Sequence, residues 1–318
     1  MPRKSKTTVD IVLPLYNEAD AFELTYGELI QAIRTLPHQF QIHCVDDGST
    51  DGTAQLLRRL EARDKRIDII QLSRNFGHQA ALTAGLAASH GDVVITMDGD
   101  GQHPAALIPE MIRLVEQGYD IVQGQRAESV QGGAFKRWTS GGFYQILNLI
   151  SGTRVEPGAA DFRALSRQAA ASLNAMPEYH RFLRGMISWM GYSSVILPYT
   201  ETKRTAGRSK YSLGKMIRLA MDAVFSFSLA PLYIGLSLGA VLLCLAAAQM
   251  IYVLSFWALG RTSNFVPGWS SLMFVILSVG AMLMLLVGFV GVYVGYIFQE
   301  VKRRPVFLKK AAKNESRG

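Results

Sequence analysis

Two stretches of this 318-residue chain carry no Asp, Glu, Lys or Arg over 38 residues each: residues 223–260 and, after Arg261, residues 262–299. About 20 apolar residues make a helix long enough to cross a bilayer. Two buried core helices are the competing reading, but the length of both stretches and the aromatic residues near their ends favour two membrane spans. The expected organisation is therefore a folded amino-terminal domain over residues 1–202, a basic loop and juxtamembrane helix over 203–228, two transmembrane helices with a short external loop over 229–300, and a basic tail over 301–318.

The net charge of +8 suggests nucleic acid until it is divided along the chain. Residues 1–202 hold 19 Lys and Arg against 22 Asp and Glu, whereas residues 203–318 hold 14 against 3. The positive charge thus flanks the apolar stretches, and no nucleic-acid partner is expected. Basic flanks face the cytoplasm and anionic lipid, so both termini and the amino-terminal domain are expected to be cytoplasmic, in an integral membrane protein. Pro2-Arg3-Lys4-Ser5-Lys6 begins like a targeting signal, but the apolar run behind it is short and broken by Asp10 and Pro14, which reads as a first strand. Cys44 and Cys244 form no zinc or redox spacing and are read as packing residues.

In the first 200 residues, short apolar runs at 10–15, 41–45, 67–72, 93–97, 121–125 and 194–198 alternate with amphipathic ones at 19–36, 50–63, 79–89, 105–116, 166–176 and 181–190. Strand then helix, repeated, predicts an α/β fold with a mostly parallel, Rossmann-like sheet covered on both faces. In such sheets ligands bind at the carboxyl ends of the strands.

Those ends are acidic. The first run ends in Pro14-Leu15-Tyr16-Asn17-Glu18, the second in Val45-Asp46-Asp47-Gly48-Ser49, and the fourth in Met97-Asp98-Gly99-Asp100-Gly101-Gln102. Carboxylates as close as Asp98 and Asp100 repel unless a proton or cation lies between them, and a hard divalent ion suits that arrangement and a diphosphate ligand. Solvated acids in a Gly-rich turn are the alternative, weakened by the convergence of three acidic strand ends. No Gly-x-Gly-x-x-Gly follows the first strand and there is no Walker-type loop. Calcium loops opening at Asp47 or Asp98 fail, because Arg58 and Pro109 occupy the position of the bidentate carboxylate.

Tyr16-Asn17-Glu18, Val45-Asp46-Asp47-Gly48-Ser49-Thr50-Asp51-Gly52-Thr53, Arg74-Asn75-Phe76-Gly77, Asp98-Gly99-Asp100-Gly101-Gln102-His103-Pro104 and Arg204-x-x-Gly207-x-Ser209-Lys210-Tyr211 occur in that order. With two carboxy-terminal spans, the chain resembles the polyprenyl-phosphate glycosyltransferases of glycosyltransferase family 2, the dolichol-phosphate mannose synthase-like group, and in particular its bacterial undecaprenyl-phosphate glucosyltransferase branch. The resemblance implies a GT-A catalytic domain and inverting transfer of one sugar from a nucleotide sugar, with UDP-glucose the leading donor, to a polyprenyl phosphate. It implies that Pro14, Tyr16, Glu18, Asp46 and Asp98 border the nucleotide, and that Asp98, Asp100 and Gln102 hold Mg²⁺ or Mn²⁺. The group's usual Asp-Ala-Asp-Leu-Gln is replaced here by glycines at 99 and 101, which are expected to make the loop more flexible.

A phosphate monoester acceptor is largely dianionic near neutrality, so a catalytic base is unnecessary. Positive charge is what the acceptor requires, and Arg126, Lys136, Arg137 and Ser140, with Arg163, are the candidates, while Arg204 and Lys210 are expected to close over the phosphates. Residues 134–150 and 211–227 mix basic and apolar side chains and read as helices in the headgroup plane, in contact with membrane lipids. Gly235-x-x-x-Gly239 and Gly291-x-x-x-Gly295 would permit close helix approach and a homo-oligomer. Two other functions compete. A processive polysaccharide synthase usually carries more spans and a Gln-x-x-Arg-Trp motif, and here Arg137-Trp138 has Ala134 where the glutamine would stand. A non-catalytic membrane scaffold or carrier would have no need of the acids at 98 and 100.

Overall fold

The computed structural model describes residues 6–126, 159–200, 230–259 and 268–310. Two compact units emerge, one holding the sheet together with the described tail residues 304–310, the other holding the two long carboxy-terminal helices.

The first unit is a seven-stranded sheet. Its strands are β1 (Thr8–Leu15), β2 (Gln39–Asp46), β3 (Ile67–Gln71), β4 (Val93–Thr96), β5 (Ile121–Arg126), β6 (Ala159–Ser166) and β7 (Ser194–Tyr199), ordered β3-β2-β1-β4-β6-β5-β7. β1 pairs in parallel with β2 and β4, β2 with β3, and β5 with β7. β6 runs antiparallel to both β4 and β5. β6 is absent from the strands expected from sequence, because Asp161 and Arg163 interrupt its apolar run.

The central strands β1 and β4 are buried on both faces, as a sheet covered on both sides requires. Val9, Ile11, Leu13 and Leu15 of β1 face α1 (Ala19–Ile33), α2 (Thr53–Arg63) and α4 (Ile108–Glu116) in one core. Phe22, Leu29 and Ile33 recur along α1 at helical spacing and are fully buried. Each such side chain stabilises the fold by about 1.5–3 kcal/mol. α1 stops at Ile33 rather than running on to residue 36, since Pro37 disfavours helical backbone just before it. Val12 and Val45, pointing the other way, meet α3 (His78–Ala88) at Gly85. α5 (Arg167–Ala175) begins at Ser166, whose hydroxyl accepts from the Ala169 N–H and caps the helix. α6 (Leu183–Trp189) follows and leads into β7.

The second unit contains α7 (Ala230–Ala258) and α8 (Trp269–Val301). Within α8, the 24 residues Ser278–Val301 are long and apolar enough to cross a membrane, about 36 Å at 1.5 Å per residue. Gly235 of α7 receives Leu286 of α8 so closely that a Cβ would collide with it. Gly239, Gly291 and Gly295 meet nothing in that way. The expected juxtamembrane helices at 134–150 and 211–227 lie outside the described residues.

Candidate active site

Because β1, β2 and β4 are parallel neighbours, Pro14, Asp46 and Asp98 come to the same edge of the sheet. Pro14 sits opposite Val45, and Leu15 opposite Asp46. The loops beyond are stitched together. Asn17 N donates to Ser49 Oγ (3.0 Å), Thr50 N to Asn17 Oδ1 (2.8 Å), and Glu18 N to Thr53 Oγ1 (3.1 Å). Asn17 takes a left-handed backbone (φ 55°), which Asn tolerates better than most residues. Tyr16 is exposed at the rim, and Asp46 lies at the base with no exposed surface.

Asp46 is held from both sides, its Oδ1 by the Ser49 N–H (2.9 Å) and its Oδ2 by Gln71 Nε2 (3.1 Å). Asp47, beside it, accepts from Phe76 N (2.7 Å) and Gly77 N (2.9 Å). A Cβ at Gly48 would stand 2.5 Å from Arg74 C and 2.7 Å from Asn75 N, and its φ is +70°. Only glycine lets these two loops meet so closely. The Asp-Asp-Gly-Ser and Arg-Asn-Phe-Gly motifs are thus one physical joint.

Beyond β4, Asp98 and Asp100 are partly exposed. Asp98 N donates to His103 Nδ1 (3.0 Å), and Gln102 N donates to Asp100 Oδ1 (3.1 Å). His103 is buried, stacked on Phe162 with ring centroids 5.1 Å apart. Both glycines of this loop have a local steric role. Leu15 and Phe22 fill the space where a Gly99 side chain would go, and Gly101 has φ +79°.

Asp98 Oδ1 is buried and accepts no hydrogen bond, with His78 Nε2 at 3.5 Å as its ion-pair partner. A buried carboxylate oxygen left this way is costly, and a cation satisfies it. Among the described residues no group of three His, Cys, Asp or Glu forms a ready metal cage. The residues present therefore fit a hard divalent ion only as a partial set, Asp98 and Asp100 with Gln102, with the remaining oxygens coming from ligand and water.

Behind this edge lies a charge cluster that the sequence alone did not reveal. Asp161 is buried and takes Arg163 Nη2 (2.8 Å), Arg184 Nε (3.1 Å) and Nη2 (3.0 Å), with His78 Nε2 at 3.3 Å. Burial alone would raise its carboxyl, but Arg184, His78 and Arg163 hold it well below the ordinary carboxylate range. His78 is itself exposed; desolvation by its neighbours opposes its charge, but Asp98 and Asp161 outweigh that and raise the imidazole to about 9.

The expected acceptor-binding residues separate. Arg126 ends β5 at the same sheet edge, exposed. Arg163 is instead 2 % exposed, its Nη2 also donating to Ala160 O (2.9 Å), and burial lowers its guanidinium to about 10. It belongs to the wall behind the site and offers no open charge to an acceptor, because β6 carries it into the sheet. Arg137, Ser140, Arg204, Lys210 and Lys136 lie outside the described residues.

A Rossmann-like, largely parallel sheet with an antiparallel insertion and acids gathered at its carboxyl edge is the architecture of GT-A enzymes. Residues 10–173 match the model of Glycosyl transferase family 2. The chain is 36 % identical over 303 residues to an uncharacterized glycosyltransferase of Synechocystis, covering 94 % of each. It is 33 % identical over 309 residues to the bactoprenol glucosyl transferase of Shigella phage SfX, covering 96 % of this chain and 99 % of that one. In fold it is similar to mannosyl-3-phosphoglycerate synthase from Rubrobacter xylanophilus, with a TM-score of 0.51 at 18 % identity over 69 % of this chain and 72 % of that one. The chain belongs to glycosyltransferase family 2 and is a glycosyltransferase.

Proposed function

We propose that this enzyme transfers a single glucose from UDP-glucose, with inversion, to undecaprenyl or a related polyprenyl phosphate at the cytoplasmic face of the membrane. The observation that carries the donor half is the buried Asp98 Oδ1, which accepts no hydrogen bond, at the strand edge where Asp46 and Asp100 also gather. The choice of glucose and a lipid acceptor draws support from the bactoprenol glucosyl transferase relative, aligned along nearly its whole length.

In this reading Pro14, Tyr16, Glu18, Asp46 and Asp98 border the nucleotide, and Asp98, Asp100 and Gln102 hold Mg²⁺ or Mn²⁺. A divalent ion there supplies Lewis-acid stabilisation to the departing nucleoside diphosphate. The acceptor phosphate needs no base to remove a proton, being largely dianionic already. Arg126 at the sheet edge, with Arg137, Arg204 and Lys210, would guide it by charge and Ser140 by a hydrogen bond, while Arg163 acts through Asp161 to brace the wall.

Two membrane crossings, by α7 and α8, complete the reading, with residues 1–202 as the catalytic domain and both termini in the cytoplasm. Support comes from the tail. Residues 304–310 belong to the same compact unit as the sheet, and a chain that leaves a domain and returns to it crosses the intervening bilayer an even number of times. Close helix approach at Gly239, Gly291 or Gly295 would allow a homo-oligomer, and crosslinking in native membranes that yields only monomer would refute it.

Incubating membranes with labelled nucleotide sugars and undecaprenyl phosphate tests the proposal. A chloroform-soluble product bearing one glucose from UDP-glucose is expected. A polymer would indicate a processive synthase instead, and no metal-dependent product a non-catalytic scaffold.

A further inference from the structure

Strand β3 lies at the edge of the sheet, yet its hydrogen bonding does not stop there. Residues 308–310 of the tail run antiparallel beside Leu72: Ser73 N donates to Leu308 O (2.8 Å) and Lys310 N donates to Gln71 O (2.7 Å). Val306 and Phe307, just before, are partly buried.

The residues clasped by the tail are those that hold the floor of the site. Leu72 N donates to Asp46 O (2.9 Å), and Gln71 places its amide on Asp46 Oδ2 (3.1 Å). The chain then passes directly into 74–77, whose Phe76 and Gly77 N–H groups grip Asp47 and whose backbone packs on Gly48. A tail bonded on one side of residues 71–73 therefore fixes, on the other side, both acids at the end of β2, Asp46 and Asp47.

We propose that residues 306–310 are a positioning element of the donor pocket: by pairing with Gln71–Ser73 they hold Gln71 on Asp46 and the 74–77 loop on Asp47, so nucleotide-sugar affinity depends on a segment beyond the last membrane helix. This rests on the reading of Asp46 as a border of the nucleotide. The tail's part is played by its backbone, since neither hydrogen bond uses a side chain.

That distinction sets the experiment, on full-length protein in membranes. Lys310→Pro removes the N–H that Gln71 O accepts, whereas Lys310→Ala removes the charge and keeps the N–H. K310P is expected to raise the donor KM about 3- to 10-fold, the effect of one backbone hydrogen bond, with kcat and the acceptor KM within about twofold of wild type. K310A is expected to match wild type throughout. Gln71→Ala should reproduce the rise in donor KM, and K310P should add little to it, because both act through Asp46.

A wild-type donor KM in K310P, or equal effects of K310P and K310A, overturns the proposal. Should K310P fail to insert, Q71A decides: an unchanged donor KM there overturns it as well. A wild-type chain that shows no saturable UDP binding would overturn the functional reading itself, and this proposal with it. The two failures are thus distinguishable.

Discussion

The backbone N–H of Asp98 donates to Nδ1 of His103, 3.0 Å away, in a loop that doubles back on itself. An Nδ1 that accepts must be unprotonated, which places the ring proton on Nε2, 3.7 Å from Asp98 Oδ2. Burial pushes this imidazole's pKa down, consistent with a neutral ring. His103→Phe keeps the stack on Phe162 but leaves the Asp98 N–H without its acceptor, at a cost of about 1–3 kcal/mol. We expect turnover to fall about tenfold or more with only a modest loss in unfolding temperature. Wild-type turnover would show that Asp98 does not depend on His103.

Asp100→Asn should abolish transfer while leaving membrane insertion intact, because the amide keeps an oxygen for Gln102 N but loses the charge a divalent ion requires. Chelation of the wild-type enzyme should have the same effect, reversed by Mg²⁺ or Mn²⁺. Activity that survives both treatments would remove the metal from the reaction.

Gly99 and Leu15 form a complementary pair in which the leucine occupies the glycine's missing side chain. Gly99→Ala is expected to cost about 1–3 kcal/mol through overpacking. Leu15→Ala alone should cost about 2–5 kcal/mol as a core truncation. Combined, the two should be less destabilising than their sum, a coupling read by denaturant unfolding of the four chains. Strict additivity would mean that the loop adapts without Leu15.

At the opposite end of the strands, His43 lies between Asp68, 2.9 Å from Nδ1, and Asp10, 3.6 Å from Nε2. Burial alone would lower its pKa, but the two carboxylates outweigh burial and raise it above 6.5. A raised histidine contributes stability that is complete below its ordinary value and lost as pH climbs through its folded value. Asp10 is lowered despite burial, held by His43 and by the N–H groups of His90 (2.6 Å) and Gly91 (2.8 Å). Its contribution is complete above 3.8 and disappears as pH falls through its own folded value. The unfolding midpoint of the wild type should therefore decline from about pH 6.5 upward, and His43→Gln should flatten that limb while weakening the acid limb without removing it, since the His90 and Gly91 N–H groups still hold Asp10. Parallel alkaline limbs in the two chains would exclude His43 as the cause.

The half of the sheet that positions the acids was legible because its strands are short, mainly apolar runs that end in polar residues, as Val93–Thr96 before Asp98 shows. β6 was not legible. Its central charges, Asp161 and Arg163, neutralise each other inside the fold, and a periodicity of apolar residues cannot register a pairing that only the tertiary structure makes. His78, Gln79 and Arg184 escaped for the same reason, since the first two reach Asp161 from α3 and the third from α6. Lys309 and Lys310 read as part of a basic flank facing anionic lipid; their side chains are exposed, while their backbone pairs beside Leu72.

The pairing of Leu72 with Lys309 also fixes an order of events during synthesis. Leu72 leaves the ribosome early, with the first strands of a domain that can begin folding as it emerges, and its edge then waits for a partner encoded after both apolar helices. An open strand edge invites pairing with other chains. The nascent domain thus exposes that stretch of edge until both apolar helices have been made and the tail has returned, so the last described segment to emerge is the one that covers Gln71–Ser73.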